Sequence, residues 1–271
     1  MTNTPYAEVI GDPIAHSKSP LIHGFWLEKL GLAGDYRAMR VAGDDLAAYF
    51  ARRADDADWR GCNITVPHKV AALDHVPDPG DVRGMIGAAN TVFRGEGGAL
   101  IATNTDAAGF LSPIADLDLS GQPVVVVGAG GAARAVLFAL ARSNVGRVTL
   151  LNRTPLKGAA LLAQFGLKGD ALPLTAQLPA AVLLVNTSVL GMTGHDPLDL
   201  DLGSLPDEAI VYDIVYAPLE TSLLKAARAR DLETVDGLEM LIGQAAVAFE
   251  LFFGAAPPRE HDEELRARLL A

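Results

Sequence analysis

The amino-acid sequence predicts an α/β fold with two domains. A run of four valines, a glycine-rich turn and an apolar helical pattern follow one another within residues 123–140, an order typical of a parallel sheet with covering helices. Strand and helix patterns also alternate on both sides of this stretch, as they do in α/β folds. The chain has 271 residues, of which 50% are hydrophobic. This is enough apolar material for one large or two ordinary domain cores.

The stretch Pro123 to Leu140, with the sequence PVVVVGAGGAARAVLFAL, is the centre of this prediction. The valines predict a strand buried on both faces. Gly128 permits a tight turn, Gly130 permits a pyrophosphate to approach the backbone, and the small Ala133 permits the helix to pack closely on the strand. This order of strand, glycine turn and helix indicates a Rossmann-type dinucleotide-binding domain rather than a turn that binds no phosphate.

The composition argues against several classes of partner. The formal net charge is −11, whereas nucleic acid and anionic membranes favour clustered lysine and arginine. The single cysteine, Cys62, cannot form an internal disulfide, which suits a reducing compartment. The chain begins without a signal-like segment and has no apolar run of membrane-spanning length. We therefore expect a cytoplasmic protein with no nucleic-acid or membrane partner. No metal site is predicted.

The first segment predicts a strand at residues 6–10 and a helix that begins near Ser19 and ends at Gly31. Ser19 followed by Pro20 is typical of a helix N-cap and first helical residue. Capping does not account for Ser17, which precedes the cap by two residues. Two interpretations of these serines are open: turn and capping roles, or a role in binding a ligand.

A second cluster of polar residues is found in the segment 61–69, GCNITVPHK. In a strand, Asn63 and Thr65 would lie on one face, opposite their apolar neighbours. Ligands of α/β proteins bind where strands end, so these side chains and Lys69 are candidates for a site. The alternative is a turn with a solvated lysine.

Two short strands are predicted within residues 87–93 and 101–110, with a hairpin between them. Asp106 opens the helical stretch that follows. It is either a helix N-cap or a functional carboxylate.

The end of the next predicted strand, residues 147–151, bears on the type of dinucleotide. NAD-binding domains carry an acidic residue there, which binds the ribose hydroxyls. This chain instead has Asn152, Arg153 and Thr154, followed closely by Lys157. Because cations and neutral hydrogen-bonding groups can receive a phosphate, these residues favour NADP over NAD.

Two further positions are candidates in the last third of the chain. Tyr216 follows the predicted strand 209–214, where a nicotinamide or substrate could lie, although packing is an equal explanation. Gln244 lies on the apolar face of the predicted helix 237–253. A buried amide must find hydrogen bonds, from the backbone or from a polar ligand.

Motifs along the whole chain support a more specific interpretation. GDPIAHSKSPLIH, GCNITVPHK, GAANTV, TNTDAAGF, VGAGGAARA, NRT and GLEMLIGQAA occur in this order. In order and spacing they resemble the shikimate dehydrogenase family. The resemblance implies reversible reduction of 3-dehydroshikimate to shikimate by NADPH in aromatic amino-acid biosynthesis. It also implies a substrate domain at residues 1–106, completed by helices in 238–271, an NADP domain at 107–237, and an active-site cleft between them.

The resemblance also implies roles for individual residues. Lys69 would lie beside the reacting oxygen, paired with Asp106, and these two would be catalytic. The substrate would be held by the side chains of Ser17, Ser19, Asn63, Thr65, Asn90, Tyr216 and Gln244. The cofactor would be bound by Gly128, Ala129, Gly130, Gly131, Ala132, Asn152, Arg153, Thr154, Lys157 and Gly237.

Departures from the family pattern concern specificity. Lys157 stands where the family often has arginine, and a point charge without the planar fork would weaken the preference for NADP. Ser19 stands where some relatives that accept quinate carry threonine, which favours shikimate. The alternatives are a paralogue that uses quinate or NAD, and a non-catalytic NADPH-binding sensor. The oligomeric state is left open, with a homodimer as one option.

Overall fold

The computed structural model describes residues 4–271. It divides into two compact units. The first comprises the residues up to Thr105 together with Ile242–Ala271, and the second comprises Asp106–Leu241. The sequence places the divisions after residues 106 and 237. No helix within the described residues combines the length and the apolar composition needed to cross a membrane.

The strands form one sheet in each unit. The first unit contains β1 Tyr6–Gly11, β2 Asp35–Arg40, β3 Trp59–Ile64, β4 Thr91–Arg94 and β5 Leu100–Thr103. The second unit contains β6 Pro123–Val127, β7 Arg147–Leu151, β8 Gly169–Leu172, β9 Leu183–Asn186, β10 Ile210–Asp213 and β11 Glu233–Val235.

The α-helices alternate with these strands along most of the chain. In chain order they are α1 Ser19–Leu30, α2 Leu46–Ala54, α3 Val82–Met85, α4 Asp106–Leu111, α5 Gly131–Arg142, α6 Pro155–Gln164, α7 Ser222–Arg228, α8 Gly237–Phe253 and α9 Asp262–Leu270.

The first unit has a mixed sheet in the order β2-β1-β3-β4-β5. β1 is parallel to β2 and β3, and β4 is antiparallel to β3 and β5. Every residue of β1 is buried, as expected for a central strand. Phe252 of α8 packs on this sheet, and a Cβ on Gly61 would lie 2.4 Å from its ring. Gly61 therefore allows α8 to approach the strands closely.

The last helix, α9, packs against α1 within the first unit. Lys29 Nζ lies 2.6 Å from Glu264 Oε2, and Arg268 Nη1 lies 3.1 Å from Glu28 Oε2. Lys18 Nζ donates a hydrogen bond of 2.5 Å to the carbonyl of Leu269. Partly exposed ion pairs contribute little individually, about 0–1 kcal/mol each. The buried Leu265 and Leu269 complete the contact on the apolar side of α9.

The second unit has a parallel sheet in the order β11-β10-β9-β6-β7-β8. The valines of β6 alternate between two hydrophobic cores. Val124 and Val126 belong to the core that contains residues of α5, and Val125 and Val127 belong to the core that contains residues of α7. A strand buried on both faces in this way is typical of a doubly wound sheet. The predicted two-domain α/β fold with a Rossmann-type unit is confirmed.

Some local predictions differ from the structure. α1 begins at Ser19 rather than after it, because the carbonyl of Lys18 accepts hydrogen bonds from the backbone N–H groups of Leu21 and Ile22. Lys18 is therefore the N-cap, and the prediction that Ser19 is the N-cap was wrong by one residue. The edge strands β8 and β11 were not predicted, since their residues are short runs that are only partly buried.

Candidate active site

The glycine turn after β6 has one packed and one open position. Gly128 has φ +106°, and a Cβ there would lie 2.8 Å from Thr187 Oγ1. The hydroxyl of Thr187 donates to the carbonyl of Val127 at 2.6 Å, which joins the ends of β9 and β6. A Cβ on Gly130, by contrast, would meet no described atom within 4 Å. The backbone is thus open at the position where a pyrophosphate is predicted to approach.

The N-terminus of α5 is also suited to an anion. The helix begins at Gly131, and no side chain of the described residues caps it. Its first backbone N–H groups have no partner within the helix and carry the positive end of the helix dipole. Ala133 is fully buried against the sheet. The remaining predicted residues of the turn, Ala129, Gly131 and Ala132, are half-buried around this helix start.

The residues after β7 form a cationic turn. Asn152 Nδ2 donates to the carbonyl of Thr154 at 2.9 Å, which closes the turn. Arg153 and Lys157 are exposed. Within residues 4–271 neither cation makes an ion pair. Both charges are therefore available to a phosphate, and the residues present fit the NADP that the sequence predicts.

The first unit contains a buried network of amides and hydroxyls. Asn63 Nδ2 donates to Thr91 Oγ1 at 3.0 Å, and Thr91 Oγ1 donates to Asn90 Oδ1 at 3.0 Å. Asn90 Nδ2 donates to Thr105 Oγ1 at 2.9 Å and to Gln244 Oε1 at 3.4 Å. Strand pairing explains part of this arrangement, because Asn63 of β3 lies opposite Thr91 of β4. The fold thus joins Asn63, Asn90 and Gln244, three of the predicted substrate-binding residues.

Tyr36 extends this network at its other end. Its hydroxyl donates to Asn63 Oδ1 at 2.6 Å. Burial raises the pKa of Tyr36 well above its ordinary value, and the neighbouring Ser19 hydroxyl opposes part of that rise. The phenol is therefore neutral and acts as a donor. The N–H of Ser19 in turn donates to Ser17 Oγ at 3.3 Å, so that Ser17 lies at the start of α1 beside the buried Ser19.

Thr65 and Lys69 lie in the turn that follows β3. Both are half-buried. A Cβ on Gly11 would lie 2.6 Å from Thr65 Cγ2, so Thr65 packs against the end of β1. The carbonyl of Lys69 accepts a hydrogen bond of 2.7 Å from Ala89 N–H. This bond holds the backbone of Lys69 next to the segment that carries Asn90.

The second unit carries the other predicted residues. Asp106 is the first residue of α4 and is 4% exposed. Tyr216 is half-buried after β10, and burial raises the pKa of its phenol. A Cβ on Gly237 would lie 2.4 Å from the carbonyl oxygen of Ile214. Gly237 therefore allows the start of α8 to approach the backbone that leads to Tyr216.

A buried carboxylate organises the same segment. Asp213 accepts hydrogen bonds from Asn186 Nδ2 at 2.9 Å, Val215 N–H at 3.0 Å and Thr221 Oγ1 at 2.7 Å. Burial raises the pKa of Asp213, and these three donors oppose the rise. The carboxylate ties the ends of β9 and β10 to the start of α7. The sequence contains no local signal for this role, nor for those of Tyr36, Thr91 and Thr105.

Taken together, the fold and these groups define a class of enzyme. The second unit is of the Rossmann type, with an open glycine turn and, after β7, cations that make no ion pair within residues 4–271. The first unit clusters buried amides and hydroxyls, and the backbone of Lys69 is bonded to the segment that carries one of them. These two units in one chain are typical of an NADP-dependent dehydrogenase of a small polar substrate. The family models narrow this class. Residues 9–92 match the shikimate dehydrogenase substrate binding domain, residues 112–186 match shikimate / quinate 5-dehydrogenase, and residues 237–265 match the shikimate 5'-dehydrogenase C-terminal domain.

Individual relatives agree with these models. The shikimate dehydrogenase (NADP(+)) of Sphingopyxis alaskensis is 68% identical over 268 residues, covering 99% of this chain and 98% of the relative. The shikimate 5-dehydrogenase of Thermus thermophilus, solved in complex with NADP(H) and shikimate, has a TM-score of 0.86 and 40% identity and covers 98% of this chain and 99% of that chain. The chain belongs to the shikimate dehydrogenase family. The predicted NADP-dependent dehydrogenase activity is confirmed by these relatives.

The fold by itself does not select this substrate. The 5-ketofructose reductase of a Gluconobacter species has a TM-score of 0.88 and 30% identity, and covers 100% of this chain and 99% of that chain. A reductase named for a different substrate thus has a similar backbone. The substrate class follows instead from the higher sequence identity to individual shikimate dehydrogenases, 68% for the Sphingopyxis relative and 40% for the Thermus structure.

Proposed function

We propose that this chain catalyses the reversible reduction of 3-dehydroshikimate to shikimate by NADPH, in aromatic amino-acid biosynthesis. We also propose that the catalytic, substrate-binding and cofactor-binding residues are those predicted from the sequence. The observation that carries this assignment is the buried network that joins Asn63, Asn90 and Gln244 in the first unit. It is built from neutral donors and acceptors, which suit the hydroxyl groups of the substrate ring. A ligand that lacked those hydroxyls would leave buried polar groups unpaired, at a cost of about 1–3 kcal/mol each.

The serines at the start of α1 are proposed to bind the substrate carboxylate. Ser17 and Ser19 precede or occupy the first turn of the helix, where backbone N–H groups and the helix dipole favour an anion. Thr65 is proposed to bind a ring hydroxyl together with the amides. The half-buried phenol of Tyr216 and the close-packed Gly237 are proposed to line the side of the substrate and nicotinamide.

Lys69 is proposed to be the proton donor. When bound, the cofactor supplies the hydride to the ketone carbon. The ketone oxygen then needs a proton, which the Lys69 ammonium gives in the reduction and recovers in the oxidation. Asp106, a buried carboxylate at the start of α4, is proposed to bind a ring hydroxyl and to stabilise the charged lysine. In this scheme the protein contributes orientation and proton transfer.

The NADP site is proposed to comprise the glycine turn and the cationic turn. Gly130 leaves room for the pyrophosphate, and the uncapped start of α5 offers N–H donors to it. Arg153 and Lys157 are proposed to pair with the 2′-phosphate, and Asn152 and Thr154 to donate hydrogen bonds to it. The absence of a carboxylate at the end of β7 supports NADP over NAD.

We further propose that the enzyme acts in the cytoplasm on its small-molecule substrate, without a nucleic-acid or membrane partner. The net charge of −11 and the single, buried Cys62 support this. If copies of the chain associate with each other, a homodimer is the proposed assembly. Light scattering of the purified chain measures its mass directly.

The decisive experiment measures initial rates of shikimate and quinate oxidation with NADP and with NAD. We expect the highest kcat/KM for shikimate with NADP. A preference for quinate or for NAD would support the alternative paralogue. Binding of NADPH without turnover of either substrate would support a sensor.

A further inference from the structure

We propose that Tyr36 and Thr91 are positioning residues for shikimate binding, because they determine which way the Asn63 amide faces. This inference rests on the proposed role of Asn63 in holding a ring hydroxyl. An asparagine amide has a donor side and an acceptor side, and rotation by 180° about its last bond exchanges them. A site that recognises hydroxyl groups depends on which side is presented.

The direction of the hydrogen bonds that lead from Thr105 N–H through Asn90, Thr91 and Asn63 to Tyr36 follows from one donor that cannot reverse. Thr105 N–H is a backbone donor, and it bonds to Asn90 Oδ1 at 2.7 Å. The oxygen of the Asn90 amide is thereby set toward Thr105. Thr91 Oγ1 lies 3.0 Å from the same oxygen and must donate its only proton to it.

The hydroxyl of Thr91 can then act only as an acceptor toward Asn63. The group of Asn63 that lies 3.0 Å from it must be the NH₂. The oxygen of Asn63 consequently faces Tyr36, whose hydroxyl donates to it at 2.6 Å. Donor and acceptor assignments agree at every step from Thr105 to Tyr36, so the whole series specifies one orientation of the Asn63 amide.

Tyr36 is itself held in place by its surroundings. The residue is 6% exposed, and its ring stacks on that of His23, with centroids 3.9 Å apart and planes 1° from parallel. A stacked and buried ring has little rotational freedom, so its hydroxyl stays directed at Asn63. Neither Tyr36 nor Thr91 belongs to the predicted substrate-binding set. The effect of Thr91 on the substrate would pass through Asn63 and Asn90, and that of Tyr36 through Asn63 and through the neighbouring Ser19 hydroxyl.

The variant Tyr36→Phe removes the hydroxyl and keeps the ring. Asn63 Oδ1 then loses the hydrogen bond of 2.6 Å from Tyr36, and the amide can rotate away from the binding orientation. We expect the KM for shikimate to rise at least fivefold, while kcat and the KM for NADP change less than twofold. A purely structural role would lower the melting temperature without this selective effect.

Tyr49→Phe is the matched control. The Tyr49 hydroxyl is also buried in the first unit and donates to a side-chain acceptor, Glu8 Oε2, at 2.8 Å. Among the hydrogen bonds of the described residues, none joins Tyr49 to the network around Asn63. We expect this variant to have a lower melting temperature and an unchanged KM for shikimate.

Thr91→Val and Thr91→Ser provide a second, independent pair. Valine keeps the shape and removes the hydroxyl, so it should raise the KM for shikimate at least fivefold; serine keeps the hydroxyl and should restore the KM to within twofold. If Tyr36→Phe does not fold, the two Thr91 variants test the inference by themselves. The inference is overturned if the Tyr36→Phe enzyme keeps the wild-type KM, or if valine and serine behave alike. Failure of the wild-type enzyme to oxidise shikimate would instead contradict the proposed function.

Discussion

The rings of His23 and Tyr36 lie face to face, 3.9 Å between centroids. Trp26 and Phe249 also pack against His23, with centroids 5.8 Å away in each case. His23 is 0% exposed, and neither ring nitrogen makes a well-formed hydrogen bond within the described residues. Burial lowers the pKa of His23 to about 3, and the nearby Asn63 side chain opposes only part of this effect. The imidazole is therefore neutral at physiological pH and stacks as an uncharged ring.

This neutral histidine should make the stability of the protein depend on pH. Between pH 6.5 and about 3 the unfolded chain takes up a proton at His23 and the folded chain does not. The stability contribution is therefore fully present above pH 6.5 and is lost as the pH falls through this window. Between pH 7.5 and 5.5 the loss should be about 1.4 kcal/mol in the free energy of unfolding.

The measurement compares urea unfolding at these pH values in the wild type and in His23→Phe, which keeps an aromatic ring and cannot titrate. The variant should show a pH difference smaller by about 1.4 kcal/mol. His195→Gln is the control, because this histidine is exposed, and it should behave as the wild type does. Equal pH differences in His23→Phe and the wild type would mean that His23 is not the group responsible.

Two glycine variants should separate stability from cofactor binding. Gly128→Ala places a Cβ at φ +106° and 2.8 Å from Thr187 Oγ1, so it should destabilise the fold by about 1–3 kcal/mol. Gly130→Ala meets no described atom within 4 Å and should leave the melting temperature nearly unchanged. It should nevertheless raise the KM for NADP about tenfold or more, because the new Cβ occupies the predicted approach of the pyrophosphate. An unchanged KM in Gly130→Ala would contradict the predicted cofactor position.

Replacement of the buried Asp213 by asparagine should destabilise the protein less than replacement by alanine. In Asp213→Asn one oxygen still accepts from Asn186 and Val215, and the NH₂ can donate to Thr221. In Asp213→Ala all three donors lose their acceptor, which should cost about 3 kcal/mol or more. Thermal unfolding should therefore rank the wild type and Asp213→Asn close together and well above Asp213→Ala. A loss of stability in Asp213→Asn as large as that in Asp213→Ala would show that the negative charge itself is required.

Removal of the Lys69 ammonium should lower the rate of the reaction and leave the affinity for the cofactor unchanged. Lys69→Ala should lower kcat by about 10²- to 10⁴-fold, the usual contribution of a positioned proton donor. The dissociation constant for NADPH, measured by fluorescence titration, should stay within twofold. Lys168→Ala, at an exposed position, should keep the full kcat. Unchanged turnover in Lys69→Ala would remove this residue from the mechanism.

The central strand, turn and helix could be predicted because their signal in the sequence is local. The valines, the glycines and the following helix lie within residues 123–140, and steric and packing rules over that short range are enough to predict a Rossmann-type turn. The edge strands β8 and β11 escaped prediction because tertiary pairing, rather than their own residues, makes them strands. The predicted start of α1 was one residue too late, since capping preferences are weaker than the backbone geometry around Lys18.

The residues by themselves determined the fold class, the glycine turn and the type of cofactor, and their resemblance to a family indicated the substrate. The tertiary structure alone decided how the amides are oriented. Tyr36 and Asn63 are 27 residues apart, and Asn90 and Gln244 are 154 apart. A hydrogen bond depends on distances of a few tenths of an ångström between atoms that folding brings together. No local pattern carries that information, so the roles of Tyr36 and Thr91 could be recognised only in the assembled sheet, where β1 lies between β2 and β3 and β4 pairs with β3.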